Sequence, residues 1–192
     1  MANSIHHKKP KRTCTKSYSQ YTSFKPFIRE DFNQRCGYCD DLDIYNGGSR
    51  GYQIDHFKPH SIAKFNHLKT TYSNLVYSCP YCNRAKSNKW QDSEGFIDPC
   101  DNAYDIHLQR CDRGKIHFKS SQGKYIHRNL SLHLKRHELL WMIEKLQRQS
   151  NKLDELIELL GENHPKEVEI LRTFRAIQQK INNYTNLFHN EL

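Results

Sequence analysis

Four of the seven cysteines stand at a fixed gap, as Cys36-x-x-Cys39 and Cys79-x-x-Cys82, the arrangement in which two tight turns each offer two thiolates to one tetrahedral Zn²⁺. An odd cysteine total argues for metal binding over a disulfide framework, and Cys14, Cys100 and Cys111 are left as single thiols. The 39 residues between the two knuckles exceed what a simple zinc ribbon needs, so something is mounted inside the zinc-closed loop. That insertion holds Asp55, His56 and Asn74, and Asn83 follows the last cysteine directly. These residue types suit phosphodiester hydrolysis, which needs a nucleophilic water, an electrophilic phosphate and charge compensation on the leaving oxygen. His56, with an ordinary imidazole pKa of about 6.5, is the candidate base. Asp55 and Asn83 offer two oxygens to a catalytic divalent cation, and oxygen donors favour a hard ion that keeps several waters, Mg²⁺ or Mn²⁺ before Zn²⁺. Lys86, one helical turn beyond Asn83, and Arg84 are the candidates for holding a phosphate oxygen.

The elements that must position these groups are short. Ser23 is placed to cap a helix through Phe27, Ile28 and Phe32, ending at the first knuckle. Glycines 47, 48 and 51 mark a turn, Tyr52–His56 alternates as a strand that stops by Pro59, and 57–73 reads as a loop. Leu75–Ser78 is a second strand, and Pro80 opens a helix at the second knuckle. Beyond the Asp98-Pro99 turn, Gly114–Phe118 and Lys124–His127 read as two further short strands. From about Leu130 apolar residues recur every three to four positions up to Gly161, and Pro165 starts a second amphipathic helix, which together predict a helical hairpin.

The 192 residues carry 30 Lys+Arg against 21 Asp+Glu, and the excess is one-sided. Residues 132–192 hold nine of each sign, so all of the net positive charge lies in 1–131, the half expected to meet a polyanion. The first 26 residues contain six cations and no acid, which predicts a flexible basic arm over about 1–22. No run of about 18 apolar residues and no leader-like apolar segment occur, so the expectation is a cytoplasmic protein that does not meet a membrane.

Ile54-Asp55-His56-Phe57-Lys58-Pro59, Tyr72-Ser73-Asn74-Leu75-Val76 and Cys79-Pro80-Tyr81-Cys82-Asn83-Arg84-Ala85-Lys86, in this order and flanked by cysteine pairs, resemble the HNH endonucleases over roughly residues 32–90. The resemblance implies a ββα-metal core in an α+β fold closed by a structural Zn(Cys)₄ site. In it His56 is the base, Asn74 braces the loop that orients it, and Asp55 and Asn83 hold the catalytic metal, with Asn83 where many members have histidine. Nuclease (23–130) and helical C-terminal (131–192) regions follow from this layout. The implied activity is hydrolysis of DNA to 5′-phosphate and 3′-hydroxyl ends. Layout beyond the motif resembles the HNH subunit of Septu-type anti-phage systems, which implies an ATPase partner docking on the C-terminal helices. A restriction-type HNH enzyme acting alone, an RNA- or tRNA-cleaving nuclease and a non-catalytic zinc-ribbon binder are the alternatives.

Overall fold

The computed structural model describes residues 4–160 and 164–190. The chain divides between Leu134 and Lys135 into two compact units. The first begins, after an extended stretch, with a 3₁₀ turn at Tyr21–Phe24 that runs into helix α1 (Lys25–Asp31). Ser23 lies within that turn and caps nothing; Phe24 takes the N-cap place and Pro26 the first turn. Ile28 and Phe32, one turn apart, are buried and lead into the first knuckle.

Strands β1 (Gln53–His56) and β2 (Leu75–Ser78) form an antiparallel ribbon with Asp55 opposite Val76 and His56 opposite Leu75. β2 is buried along its whole length, as its unbroken apolar run requires, whereas β1 is exposed at Gln53 and buried at Asp55 and His56. Helix α2 (Pro80–Lys86) starts at the second knuckle, where the Cys79 sulfur accepts from the Cys82 N–H and Pro80 sits at the first helical position. Between the strands, 3₁₀ turns at Ala63–Leu68 and Tyr72–Asn74 shape the loop.

A second layer closes over the first knuckle. Helix α3 (Tyr104–His107), strands β3 (Leu108–Arg110) and β4 (Ile116–Phe118), and helix α4 (Ser121–Asn129) follow in order, β3 pairing antiparallel with β4. The buried Arg110 guanidinium donates to the Cys39 carbonyl at 2.5 Å, and the Tyr104 hydroxyl donates to the Tyr38 carbonyl at 2.8 Å, so this layer grips the knuckle backbone. The strand expected over Lys124–His127 is instead the middle of α4, and the true partner of β4 lies before it in the chain. Ser120 caps this helix by accepting from the Gly123 N–H at 3.0 Å. Gly123 lets the helix lie against α3: a Cβ there would stand 2.1 Å from the His107 carbonyl oxygen.

The basic stretch expected to be a flexible arm is, from Ser4 onward, a strap laid on the domain. Ile5 is buried, its N–H donates to Asp105, and the His6 Nε2 meets the Gly37 carbonyl at 2.7 Å. His7 pairs with Asp40 at 2.5 Å, Arg12 with Asp98 at 2.9 Å, and Thr13 with Asp31 at 2.6 Å. Acids from four distant positions thus tie the strap down, although among its lysines and arginines only Arg12 is paired with a carboxylate in the described residues.

The second unit is a pair of helices, α5 (Lys135–Leu160) and α6 (Glu167–Asn190). Gln178 donates to Ser150 at 2.6 Å, while Leu146 shares a cleft with Tyr184 and Leu187, so the helices run antiparallel. Helix α5 begins at Lys135, about five residues later than the periodicity starts, because Ser131 takes a left-handed conformation (φ 54°) that ends the preceding helical run. No helix among the described residues is long and apolar enough to cross a membrane.

Candidate active site

Cys36, Cys39, Cys79 and Cys82 are fully buried, and their sulfurs lie within 4.8 Å of one another. The Cys39 and Cys79 sulfurs are 3.7 Å apart, close to the edge of about 3.8 Å that a tetrahedron with Zn–S bonds of about 2.3 Å requires. The cluster therefore fits a structural zinc ion. Gly37 explains part of its shape: a Cβ at this position would meet the Phe32 ring at 2.5 Å and Val76 at 2.8 Å, while the Gly37 N–H donates to the Tyr77 carbonyl at 2.8 Å. The first knuckle is thereby pressed onto α1 and β2, and a zinc ion on the four thiolates would tie the start of α2 to that knuckle.

On that frame β1 presents Gln53 and Asp55 on one face and His56 at its end. The His56 Nε2 is 2.8 Å from the Lys69 carbonyl oxygen, which can only accept. The neutral ring therefore carries its hydrogen on Nε2 and presents the Nδ1 lone pair as a proton acceptor. Burial lowers the His56 pKa, and the neighbouring His60, Lys86 and Lys69 charges push the same way against the carbonyl bond. Asn74 clamps the loop that supplies Lys69: its Oδ1 accepts from the Lys58 N–H at 2.9 Å, its Nδ2 donates to the Lys58 carbonyl at 3.0 Å, and its own carbonyl accepts from Phe57 at 2.8 Å. Two neighbours of His56 escaped the sequence reading. The His60 ring lies 4.2 Å from that of His56, centroid to centroid, and the Tyr21 ring meets it edge-on at 4.8 Å. Nothing in its spacing set His60 apart from the other histidines, and Tyr21 stood out only as one of the aromatics, with Tyr18 and Phe24, of the basic stretch that could lie on the domain or on a partner.

Asp55 is buried and accepts from the Tyr38 hydroxyl and from Lys86, whose Nζ lies 2.9 Å from Oδ2 and 3.2 Å from Oδ1. Burial raises the Asp55 carboxyl pKa and lowers that of Lys86, each offset in part by pairing with the other. Lys86 corrects the expectation drawn from its helical spacing. It does share a side of α2 with Asn83, but that side faces inward: the side chain has no exposed surface, its Nζ also donates to the His56 carbonyl at 2.7 Å, and it lies over the Phe96 ring. An ammonium held in this way is not available to a substrate phosphate. Arg84 is exposed on α2 and has no ion-pair partner among the described residues.

Asn83 donates its Nδ2 to the Gln53 Oε1, which leaves its Oδ1 as an acceptor. With three of the four lone-pair positions of Asp55 engaged, one carboxylate position and one amide oxygen remain. Those two oxygens are what these residues would offer a hard cation that keeps most of its waters, a sparse offer, since Asp55 belongs to no cluster of three ligating residues among those described. Replacing Lys86 by methionine is expected to destabilise the protein by about 3–5 kcal/mol in a denaturant melt, because the Asp55 carboxylate would stay buried without its counterion. An unchanged midpoint would show that Asp55 is protonated and does not need the ammonium.

Residues 36–89 match the family model of the HNH endonucleases, so the chain carries an HNH endonuclease domain there. Among curated proteins, the chain is similar to a Septu protein PtuB of Bacillus mycoides (strain KBAB4), at 27% identity over 53% of this chain. The match takes in 43% of that relative, less than half of its length.

Proposed function

We propose that the HNH domain makes this protein a divalent-metal-dependent endonuclease that hydrolyses DNA, acting in anti-phage defence beside an ATPase. The observation that carries the nuclease reading is the fixed tautomer of His56, an imidazole aimed by the Lys69 carbonyl at the mouth of a zinc-braced β-ribbon and helix. In this reading Nδ1 of His56 takes the proton from a water as its oxygen bonds to phosphorus. The bond to the 3′ oxygen then breaks, that oxygen takes a proton from solvent water and His56 later returns its own to solvent, leaving 5′-phosphate and 3′-hydroxyl ends. Asn74 holds loop 57–73 so that Lys69 keeps the imidazole oriented. Asp55 and Asn83 would hold Mg²⁺ or Mn²⁺, and that ion would supply polarisation of the phosphate and charge compensation on the leaving oxygen. Asp55 brings little free charge to that ion, so firm binding needs the substrate's own phosphate oxygens. Arg84, exposed beside Asn83, is the cation left to meet a phosphate.

The defence role and the ATPase rest on the similarity to the Septu protein. The second unit supplies a docking surface in keeping with it: Leu159, Val168 and Leu171, on the parts of α5 and α6 nearest their connection, are exposed apolar side chains. The test is incubation of the purified protein with supercoiled plasmid and Mg²⁺ or Mn²⁺, with and without the ATPase. Metal-dependent nicking or linearisation that stops with EDTA is the expected result. Cleavage of RNA alone would move the substrate, and no cleavage of either with the ATPase present would end the nuclease reading.

A further inference from the structure

A concave surface outside the β-ribbon and α2 carries charge that no acid among the described residues answers. A cleft of about 540 Å³ is lined by Ser121, Lys124, Tyr125, Arg128 and Asn129 of α4 and by Lys89, three residues past the end of α2. No carboxylate lines it. Lys124 and Arg128 are exposed with no acidic partner among the described residues, and the Lys89 Nζ has only the Ala85 carbonyl, at 2.8 Å. Like charges at positions i and i+4 of one helix repel, so Lys124 and Arg128 cost the isolated helix stability rather than adding to it. An arrangement of that kind is relieved by a polyanion.

The cleft is also tied to the candidate active site. The Tyr125 ring packs on that of Phe96 at 5.1 Å, the Phe96 ring lies 5.7 Å from the Lys86 Nζ, and Lys86 bonds Asp55. One side of α4 thus leans toward the Asp55 cluster while its charged side faces solvent. Along that side Lys124 and Arg128 are about 6 Å apart in helical rise, comparable with the rise of two nucleotides of one strand.

We propose that this cleft of α4 and Lys89 is a binding site for the phosphate backbone of duplex DNA, which it holds to the side of the scissile phosphate. The choice of DNA as occupant rests on the nuclease reading above; the site's affinity for phosphodiester backbone rests on its own charge. The test is the affinity of a short labelled duplex, over a range of salt concentrations, for His56→Ala protein and for the same protein carrying Lys124→Glu and Arg128→Glu. The dissociation constant is expected to rise at least about tenfold at low salt, and the slope of its logarithm against that of salt to fall by about 2, one for each lost phosphate contact. A Lys124→Gln/Arg128→Gln pair, with melting temperature and zinc content measured on both, keeps the charge effect apart from any loss of fold and is expected to shift the slope equally. Duplex affinity and slope unchanged in the glutamine pair would overturn the site. Weakened binding of single-stranded RNA with duplex binding untouched would overturn the duplex as its occupant. Failure of the nuclease reading looks different: wild-type protein would bind the duplex and leave it uncut with metal present.

Discussion

Replacing His56 by alanine is expected to lower the cleavage rate by roughly two to four orders of magnitude, the usual contribution of a positioned general base. The fold should survive, because loop 57–73 is clamped by Asn74 through the backbone of Phe57 and Lys58, bonds that do not use the imidazole. The lost Lys69 bond is worth about 1 kcal/mol and the ring's packing on His60 and Tyr21 goes with it, so the melting midpoint should fall while the transition stays cooperative and the zinc content unchanged. In the parent protein the base must be neutral to act, and burial places its pKa below the ordinary 6.5. The rate should therefore already be on its plateau at neutral pH and fall only as acid passes through that lowered value. A rate–pH profile with its acid limb at 7 or above, or cutting retained in His56→Ala, would remove His56 from the role of base.

Cys79→Ser should do something different in kind, abolishing zinc, fold and cleavage together. Structural zinc sites in small domains contribute an apparent free energy on the order of 10–16 kcal/mol. That matches or exceeds the whole stability of an ordinary domain, about 5–15 kcal/mol. Here the ion would join two knuckles on either side of the entire β1–loop–β2 segment, and Cys79 also caps α2. Serine would keep a weak cap while giving up the thiolate. Zinc content per chain and the cooperativity of the thermal melt read the outcome directly. A zinc-free variant that still melts as one sharp transition would show that the layer of α3, β3, β4 and α4 suffices to hold the knuckles.

Much of this architecture could be read from residues close together in the chain. The knuckles, β1, β2 and the start of α2 lie where alternation, cysteine spacing and Pro80 put them, because each is decided by neighbours within a few positions. What escaped depends on partners far away. Nothing around Lys86 says that its side of α2 faces Asp55, since a lysine three residues from Asn83 reads equally as a solvent-facing cation. The run Lys124-Tyr125-Ile126-His127 alternates like a strand, and only its cap at Ser120 and the close approach of Gly123 to α3 make it helical. The first residues look unpaired because Asp31, Asp40, Asp98 and Asp105, which receive them, are between 18 and 101 positions further on.

That strap separates two boundaries that are easily equated. The stretch that matches the HNH endonuclease family model spans 36–89, yet Arg12 reaches the carbonyl of Leu75 on β2, the Tyr38 and Cys39 carbonyls are capped from 104 and 110, and Phe24, Ile28 and Phe32 join the core beneath the ribbon. A fragment cut to the recognisable stretch would carry every residue of the proposed chemistry and leave apolar surface and knuckle carbonyls bare to water. The inherited cassette is thus smaller than the piece of chain that can keep its shape, and any graft of this chemistry onto another scaffold has to bring residues from both flanks.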